Sequence, residues 1–369
     1  MNLRLIVYAY RVLFATPALS PALKGELKEL DELRSRLGGA IRRPGRWTGT
    51  LRRLLRASAA EGSTSIEGFH VPAGEAVALV SGARTPDPDD ENRMAVACYA
   101  HAMDHVGVMA GDPAFRWLDR VILDLHFDAC SFQWDRDPGR WRTGPIGVTA
   151  PGGGLAYRGP DASDVPGLME EVVAWLHDDA EQAHVVVRAA MAHLHVVSVH
   201  PFSDGNGRIA RIAQSLVLAR DGLLAPELGS IEEYLGRHTE SYYAALQEAQ
   251  GGGYQPDRDA SGWVRFCVAA HVEQARQRLA QIDEAAARWA ALEELVSSRG
   301  WPERLVIALE QSVLGGADRA SYASEADIAL PTASGDFRRL LDADLVVAHG
   351  RGRSVRYEAS DALRGMLPR

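Results

Sequence analysis

The residues best suited to chemistry stand together in one stretch, HPFSDGNGRIAR, residues 200 to 211. His200 is a natural proton acceptor near neutral pH. Asp204 is a carboxylate of the kind that holds Mg²⁺ beside nucleotide phosphates. Phe202 is predicted to belong to the nucleotide-binding residues. As the large apolar side chain of the loop, it is also expected to anchor the loop to the core.

The second half of this stretch predicts an anion site. Gly205, Asn206 and Gly207 permit positive φ angles, so consecutive N–H groups can point inward, and the helix that follows adds its positive end. Arg208 and Arg211 share one helical face and can bind further phosphate oxygens. A Gly-Asn-Gly turn alone would favour a simple connection between helices. The combination predicts a diphosphate site instead.

Helical periodicity dominates the elements that must position these residues. Leucines recur every three or four residues between Pro21 and Gly38, which predicts an amphipathic helix. Further helices are predicted at about 49–60, 91–110, 115–132, 165–177, 181–197 and 261–298. One hairpin is predicted within residues 139–160, with strands at Ile146–Thr149 and Leu155–Tyr157. The predicted fold class is mainly α.

The composition narrows the class of protein. The chain has 369 residues, more than one ordinary core needs, with 46% hydrophobic and 24% charged residues, as in globular proteins. A net charge of -9 argues against nucleic-acid binding by the whole surface. Arg4 and Arg11 interrupt the apolar N-terminus, and no stretch is long and apolar enough for a membrane span. These features predict a cytoplasmic protein with no membrane partner; a secreted protein is the alternative.

The C-terminal residues have the outline of a winged helix. Three short helices are predicted at 304–314, 321–328 and 332–344, followed by two strands in VVAHGRGRSVRYEA. A basic face would combine Arg338 and Arg339 on the third helix with Arg351, Arg353 and Arg356 on the wing, and could bind DNA. A protein-interaction module is the alternative. The predicted domains are residues 1–112, 113–296 and 297–369.

The stretch at 200–211 resembles the Fic family signature H-P-F-x-D-G-N-G-R-x-x-R and matches it at every fixed position. The resemblance implies a helical core that transfers AMP from ATP to a Ser, Thr or Tyr hydroxyl of a target protein and releases diphosphate. It also implies a role for each matched position: His200 as base, Asp204 as Mg²⁺ ligand, the backbone of Gly205 to Gly207 as phosphate nest, Arg208 as a phosphate ligand and Arg211 as the γ-phosphate ligand.

A second motif, STSIEG at residues 63–68, resembles the family's inhibitory motif [S/T]-x-x-x-E-[G/N] through Ser63, Glu67 and Gly68. The resemblance implies that Glu67 pairs with Arg211 and leaves ATP only a non-productive binding mode. Taken alone, the motif would also fit a helix C-cap, with Gly68 ending the helix and Glu67 solvated.

Two further segments resemble parts of the family's site. The hairpin at 143–158, called the flap below, resembles the element that aligns a target segment by strand addition; an ordinary surface hairpin is the alternative. Tyr242 and Tyr243 resemble residues flanking the nucleotide base, although tyrosines at helical spacing are also common in cores. His193 and His195 alternate with apolar residues and are interpreted as packed core histidines.

The sequence therefore predicts an autoinhibited protein adenylyltransferase that uses ATP and Mg²⁺. Two alternatives stay open: a de-AMPylating enzyme in which Glu67 orients water, and a DNA-binding regulator whose Fic core senses nucleotide. The predicted partners are a target protein at the flap and DNA at the winged helix, with a homodimer left open.

Overall fold

The regular structure of the described residues in this computed structural model consists of sixteen α-helices, two short 3₁₀ helices (Trp134–Arg136 and Ala162–Asp164) and two small hairpins. The structure describes residues 12–41, 47–82, 84–149, 153–177, 183–350 and 355–368. The helices are α1 Pro21–Ile41, α2 Thr48–Ser65, α3 Ala73–Val80, α4 Glu91–Gly111, α5 Asp119–Cys130, α6 Val165–His177, α7 Val185–Val199, α8 Asn206–Arg220, α9 Pro226–Gly229, α10 Glu232–Arg237, α11 Thr239–Gln250, α12 Ser261–Ser298, α13 Leu305–Val313, α14 Arg319–Glu325, α15 Leu330–Asp342 and α16 Asp361–Met366. The prediction of a mainly α fold is confirmed.

The most deeply buried pair of helices, α7 and α8, flanks the loop that carries the predicted chemistry. Leu194 on α7 and Ile209, Ile212 and Leu216 on α8 are fully buried. Helix α7 is apolar over most of its surface, as expected for a helix surrounded by others, whereas α8 also buries Arg208, Arg211 and Gln214. The connection between them is therefore fixed at both ends by core packing.

Two antiparallel hairpins supply the strands. In the first, β1 (Gly147–Thr149) pairs with β2 (Leu155–Arg158), and the register shifts between Val148 and Thr149. In the second, β3 (Val346–His349) pairs with β4 (Arg356–Ala359) in a regular register. Residues 150–152 of the flap and 351–354 of the wing lie outside the described residues.

The buried apolar side chains form two clusters. The larger runs from Phe14 on the N-terminal side to Ala285 on α12, and the smaller runs from Trp289 on the same helix to Leu363. The continuous helix α12 thus contributes to both. The leucines of α1 belong to the larger cluster together with α7 and α8. The three-domain division remains a prediction.

Several helix boundaries differ from the predicted ones, and those of α14 and α2 are two examples. Helix α14 begins at Arg319, two residues before the predicted start, because the Asp318 carboxylate caps it by accepting hydrogen bonds from the N–H groups of Ala320 and Ser321. Helix α2 continues to Ser65 instead of ending near Ala60 and so includes Ser63. Within the described ranges, no helix has the length and apolarity of a membrane span.

Candidate active site

A cavity of about 730 Å³ opens where the signature stretch, the inhibitory motif, the flap and α11 meet. Most of the predicted site residues line it: Glu67, His200, Asp204, Gly205, Asn206, Gly207, Arg208, Arg211, Tyr242 and Tyr243. Val148, Thr149 and Tyr157 of the flap line the same cavity. Residues predicted from separate parts of the sequence therefore share one cavity.

The loop between α7 and α8 is braced by its own side chains. Asn206 accepts a hydrogen bond from the Phe202 N–H at 2.9 Å and donates one to the Phe202 carbonyl at 2.8 Å. Phe202 is fully buried and stacks on His126 with ring centroids 3.6 Å apart. It is not among the described residues that line the cavity. Its assignment to the nucleotide-binding set stays a prediction, whereas its anchoring contact is present.

His126 binds this loop through a hydrogen bond and a ring contact, a role that the sequence did not indicate. Its Nδ1 accepts a hydrogen bond from the Gly139 N–H at 2.8 Å, so its Nε2–H donates to the Asp204 carbonyl at 3.0 Å. Burial lowers the pKa of His126 to about 4, and the ring stays neutral near pH 7. The only sequence signal was a histidine near the end of an otherwise apolar helix face.

His200 caps the C-terminus of α7 with a positive φ of 51°. Its Nδ1 lies 3.0 Å from the Val197 carbonyl, which can only accept, so Nδ1 carries the proton and Nε2 of the neutral ring is free to accept one. Burial lowers the pKa of His200, while the hydrogen bond to Val197 opposes that shift. The side chain is thus suited to act as a base at neutral pH.

Glu67 bridges the two arginines of the signature stretch. Its Oε2 accepts a hydrogen bond from Nε of Arg208 at 2.5 Å, and its Oε1 accepts one from Nη2 of Arg211 at 2.7 Å. Both arginine side chains are 1% exposed and that of Glu67 is 18% exposed. Burial alone would raise the pKa of Glu67, but the two guanidinium groups outweigh it and hold the pKa below its ordinary value. We call this three-residue arrangement the inhibitory contact.

Ser63 adds two further bonds to the same arginine. Nε of Arg211 donates to Oγ of Ser63 at 2.7 Å, and Nη2 donates to its carbonyl at 3.0 Å. Gly68 follows Glu67 with a φ of 88°, a conformation that favours glycine. The predicted pairing of Glu67 with Arg211 is therefore present in the structure, and the additional contact with Arg208 was not predicted.

Arg208 also orients the candidate metal ligand. Its Nη2 donates to the Asp204 carboxylate at 2.7 Å and to the side-chain oxygen of Gln133 at 3.2 Å, a partner that the sequence did not reveal. The rings of Phe69 and Phe132 each lie 5.5 Å from its guanidinium carbon. These contacts fix Arg208 on several sides.

The residues fit a nucleotide-bound Mg²⁺ but not an independent metal centre. The Asp204 side chain is 43% exposed and lines the cavity. No cluster of three or more metal-ligating side chains occurs among the described residues. Mg²⁺ is commonly held by one or two carboxylates together with substrate phosphates and waters, so a single carboxylate beside an anion nest meets its needs.

Within the nest, Gly205 is the position that requires glycine. Gly205 has a φ of 76°, and a Cβ there would lie 2.5 Å from Sγ of Cys130. A Cβ on Gly207 would lie 2.6 Å from Oε1 of Glu67. Helix α8 begins at Asn206, and this end of the helix lines the cavity. The main-chain N–H groups of its first turn therefore point towards the cavity.

The two tyrosines of α11 differ in exposure. Tyr242 is buried and its hydroxyl lies 3.0 Å from Nε2 of His193, whereas Tyr243 is 44% exposed and donates to the Ile66 carbonyl at 3.3 Å. His193 also lies 2.8 Å from the side-chain oxygen of Gln214. His195 packs against the rings of Phe14 and Trp175. Both histidines are fully buried in the core.

The arginines predicted for DNA binding lie away from this cavity. Arg338 and Arg339 are exposed on α15, and Arg356 is exposed on β4. Arg351 and Arg353 fall outside the described residues.

Comparison with known proteins places residues 117–218 in a match to the Fic/DOC family. The chain is 32% identical over 189 residues to protein adenylyltransferase fic-1 of Caenorhabditis elegans, covering 47% of this chain and 34% of the relative. It is 35% identical over 146 residues to protein adenylyltransferase Fic of Aedes aegypti, covering 39% and 26%. A probable protein adenylyltransferase of Aquifex aeolicus is 33% identical over 99 residues, covering 27% and 28%. The chain thus spans about a third of these relatives or less.

Solved structures share the fold. A Fic domain containing signalling protein from Bacteroides thetaiotaomicron superposes with a TM-score of 0.58 at 17% identity, covering 69% of this chain and 97% of that one. Fic-1 from C. elegans superposes with a TM-score of 0.55 at 22% identity, covering 70% and 71%. At these identities the likeness concerns the fold.

Proposed function

Because this chain belongs to the Fic/DOC family and is distantly homologous to protein adenylyltransferases, we propose that it is an autoinhibited protein adenylyltransferase. It moves AMP from ATP to a Ser, Thr or Tyr hydroxyl of a target protein. The observation that carries the proposal is the inhibitory contact: one carboxylate, Glu67, occupies both arginines that a nucleotide triphosphate would need.

The phosphates of ATP bind at the start of α8. The N–H groups around Gly205 to Gly207 and the helix dipole favour negative charge there. Arg208 and Arg211 present guanidinium groups at the same end of the cavity. Asp204 would hold Mg²⁺, which supplies charge neutralisation between neighbouring phosphates.

The transfer step needs a base and an aligned hydroxyl. The target hydroxyl oxygen attacks the α-phosphorus of ATP, the bond from that phosphorus to the oxygen bridging the β-phosphorus breaks, and diphosphate leaves. The hydroxyl proton passes to Nε2 of His200, which the bond from Nδ1 to Val197 leaves unprotonated. The flap would present the target segment by strand addition, since it lines the same cavity as His200.

Inhibition follows from competition for one cation. A γ-phosphate and the Glu67 carboxylate are both anions that need Nη2 of Arg211, which Glu67 approaches to 2.7 Å. Moving ATP into the productive position therefore requires Glu67 to leave two buried guanidinium groups. The γ-phosphate would compensate the charge of Arg211, but Glu67 would lose both of its cations, and that loss disfavours the productive position.

Labelled ATP tests the reaction class. The Glu67→Gly chain, given Mg²⁺ and ATP labelled at either the α- or the γ-phosphate, is expected to incorporate only the α-label into itself. Adding His200→Ala should reduce that incorporation by about 10²–10⁴-fold, while the Kd for ATP changes less than about threefold. Incorporation of the γ-label, or full incorporation without His200, would refute the proposed step.

The reverse reaction is a second candidate, favoured by one observation. Glu67 lines the cavity and its lowered pKa keeps it ionised, so it could orient a water molecule towards a bound AMP ester. Self-labelled Glu67→Gly protein is a suitable substrate for this test. Wild-type chain that removes AMP from it would establish the hydrolytic activity, and stable label would exclude it.

DNA binding is an independent candidate role, favoured by the exposed Arg338, Arg339 and Arg356. A gel shift with mixed-sequence duplex DNA and the full chain tests it. Binding should weaken with added salt and with Arg338→Ala combined with Arg339→Ala. Absence of a shift at low salt would exclude it.

A further inference from the structure

Arg142 lies between the signature stretch and the flap, and no role was predicted for it from the sequence. The residue stands before β1 and is 5% exposed. Its main-chain N–H donates to the carbonyl of Pro201 at 2.9 Å. Arg142 thus lies immediately before the flap and contacts Pro201, the residue next to His200.

The guanidinium group of Arg142 joins three points of the main chain. Its Nε donates to the His200 carbonyl at 2.7 Å, its Nη1 to the Gly144 carbonyl at 2.8 Å and its Nη2 to the Pro160 carbonyl at 2.6 Å. Gly144 lies near the start of the flap and Pro160 just beyond its end. One planar group therefore fixes both ends of the flap relative to His200.

These bonds act on the geometry of the base. His200 has a positive φ of 51°, an uncommon conformation for a residue with a side chain. Such conformations persist where surrounding contacts determine them. The Arg142 bond to the His200 carbonyl is one such contact, and as a charge-assisted hydrogen bond it is stronger than a neutral one.

A glycine permits the close approach on the flap side. A Cβ at Gly159 would lie 2.6 Å from Cγ2 of Ile146, 3.2 Å from Nη2 of Arg142 and 3.5 Å from Cβ of His200. The Gly159 N–H also donates to the Ile146 carbonyl at 3.2 Å. The end of the flap, the guanidinium group and the base are therefore packed directly against one another.

We infer that Arg142 is a positioning residue that sets the distance between His200 and the flap, and hence between the base and the target hydroxyl. The inference rests on the proposed transfer reaction. Arg142 is not one of the residues that bind the phosphates in the proposed transfer reaction. Its loss should therefore reduce the rate of transfer at saturating ATP while leaving ATP affinity in place.

The test uses the full chain in the Glu67→Gly background. Arg142→Lys keeps the charge but cannot reach three diverging carbonyls, and Arg140→Lys is the matched control because Arg140 is exposed two residues earlier. Self-labelling at saturating ATP should fall about 100-fold in Arg142→Lys, the size expected for a misplacement of about 1 Å. The Kd for ATP should stay within about threefold, and Arg140→Lys should match its parent.

A second variant approaches the same contact from the flap. Gly159→Ala leaves Arg142 intact but separates the flap from His200, so its saturating rate should also fall with ATP affinity retained. It decides the matter if Arg142→Lys proves unfolded by circular dichroism. Three results would overturn the inference. The folded variants could label at the same rate as the parent, their lower rate could be explained by a loss of ATP affinity, or both variants could be unfolded. A parent that never labels itself would instead refute the proposed function.

Discussion

His200 is held as a neutral base by contacts on both of its sides. Nδ1–H donates to the Val197 carbonyl, while the main-chain carbonyl of His200 accepts from Arg142. Burial lowers the pKa of the ring, and the nearby Arg142 cation lowers it further. Glu67 and Asp204 oppose that shift through their charges.

This environment predicts the acid limb of the pH profile. A base with a pKa below the ordinary 6.5 stays unprotonated, and therefore active, until the pH falls through that lowered value. Self-labelling of Glu67→Gly chain at low ATP concentration, which reports the free enzyme, should be unchanged from pH 8 to about 6.5 and decline only below it. A decline centred above 6.5 would contradict a buried, neutral His200.

The residues of the site were predictable to the extent that they are contiguous in sequence. The signature stretch carries its own base, carboxylate and glycines, and the structure places most of them on one cavity. His126, Gln133 and Arg142 were not predicted, because their importance comes from hydrogen bonds to residues about sixty to eighty positions away. The second partner of Glu67, Arg208, likewise depends on three-dimensional packing.

At the scale of elements, the position of α2 decides whether the inhibitory contact can form. Helix α2 packs against α10 through two glycines: a Cβ on Gly62 would lie 2.7 Å from the Glu232 carbonyl oxygen, and one on Gly236 would lie 2.6 Å from that of Gly62. The next residue, Ser63, binds Arg211. A small outward movement of α2 would therefore loosen Ser63 and Glu67 together.

Gly236→Ala should activate transfer although it substitutes no residue of the inhibitory contact. The added methyl group cannot be accommodated at 2.6 Å from main-chain atoms, so α2 must shift. We expect a self-labelling rate between those of wild type and Glu67→Gly, and a lower Tm. Gly74→Ala in α3 is the control, since its Cβ would meet nothing within 4 Å. A Gly236→Ala chain that is destabilised but labels no faster than wild type would show that α2 does not control the site.

The same glycines explain why the end of α2 was misplaced in the sequence prediction. Gly62 is a poor helix former, and it follows the predicted end of the helix near Ala60. The close packing of Gly62 against α10 outweighs that local preference, and the helix continues to Ser65. The flap strands were predicted within a residue, but their shifted register depends on cross-strand packing that the sequence pattern does not encode.

At the scale of the whole molecule, buried histidines make the larger hydrophobic cluster sensitive to acid. His193, His195 and His271 are buried, and burial lowers the pKa of each to about 3. In the unfolded chain these rings titrate near 6.5. The unfolded state therefore binds more protons below that pH, and the free energy of unfolding, at full value above 6.5, falls as the pH drops from 6.5 towards 3.

Each of these histidines should lower the free energy of unfolding at pH 5 by about 2 kcal/mol relative to pH 8. Urea unfolding followed by circular dichroism at both pH values measures the sum. His195→Phe is an informative variant, because within the described residues neither ring nitrogen of His195 has a hydrogen-bond partner. It should preserve stability at pH 8 and reduce the loss at pH 5 by one histidine's share. Equal stability of the wild-type chain at both pH values would contradict these pKa values.

The intact mass of the chain after incubation with ATP and Mg²⁺ tests most directly whether Glu67 blocks the transfer of AMP. Because Glu67 occupies both Arg208 and Arg211, wild-type protein should remain unmodified while Glu67→Gly gains the mass of one or more AMP groups. Glu67→Gln, which keeps the shape but not the charge, should fall between them, and Glu61→Gln on α2 should behave as wild type. Equal modification of wild type and Glu67→Gly, or none in either, would contradict the account.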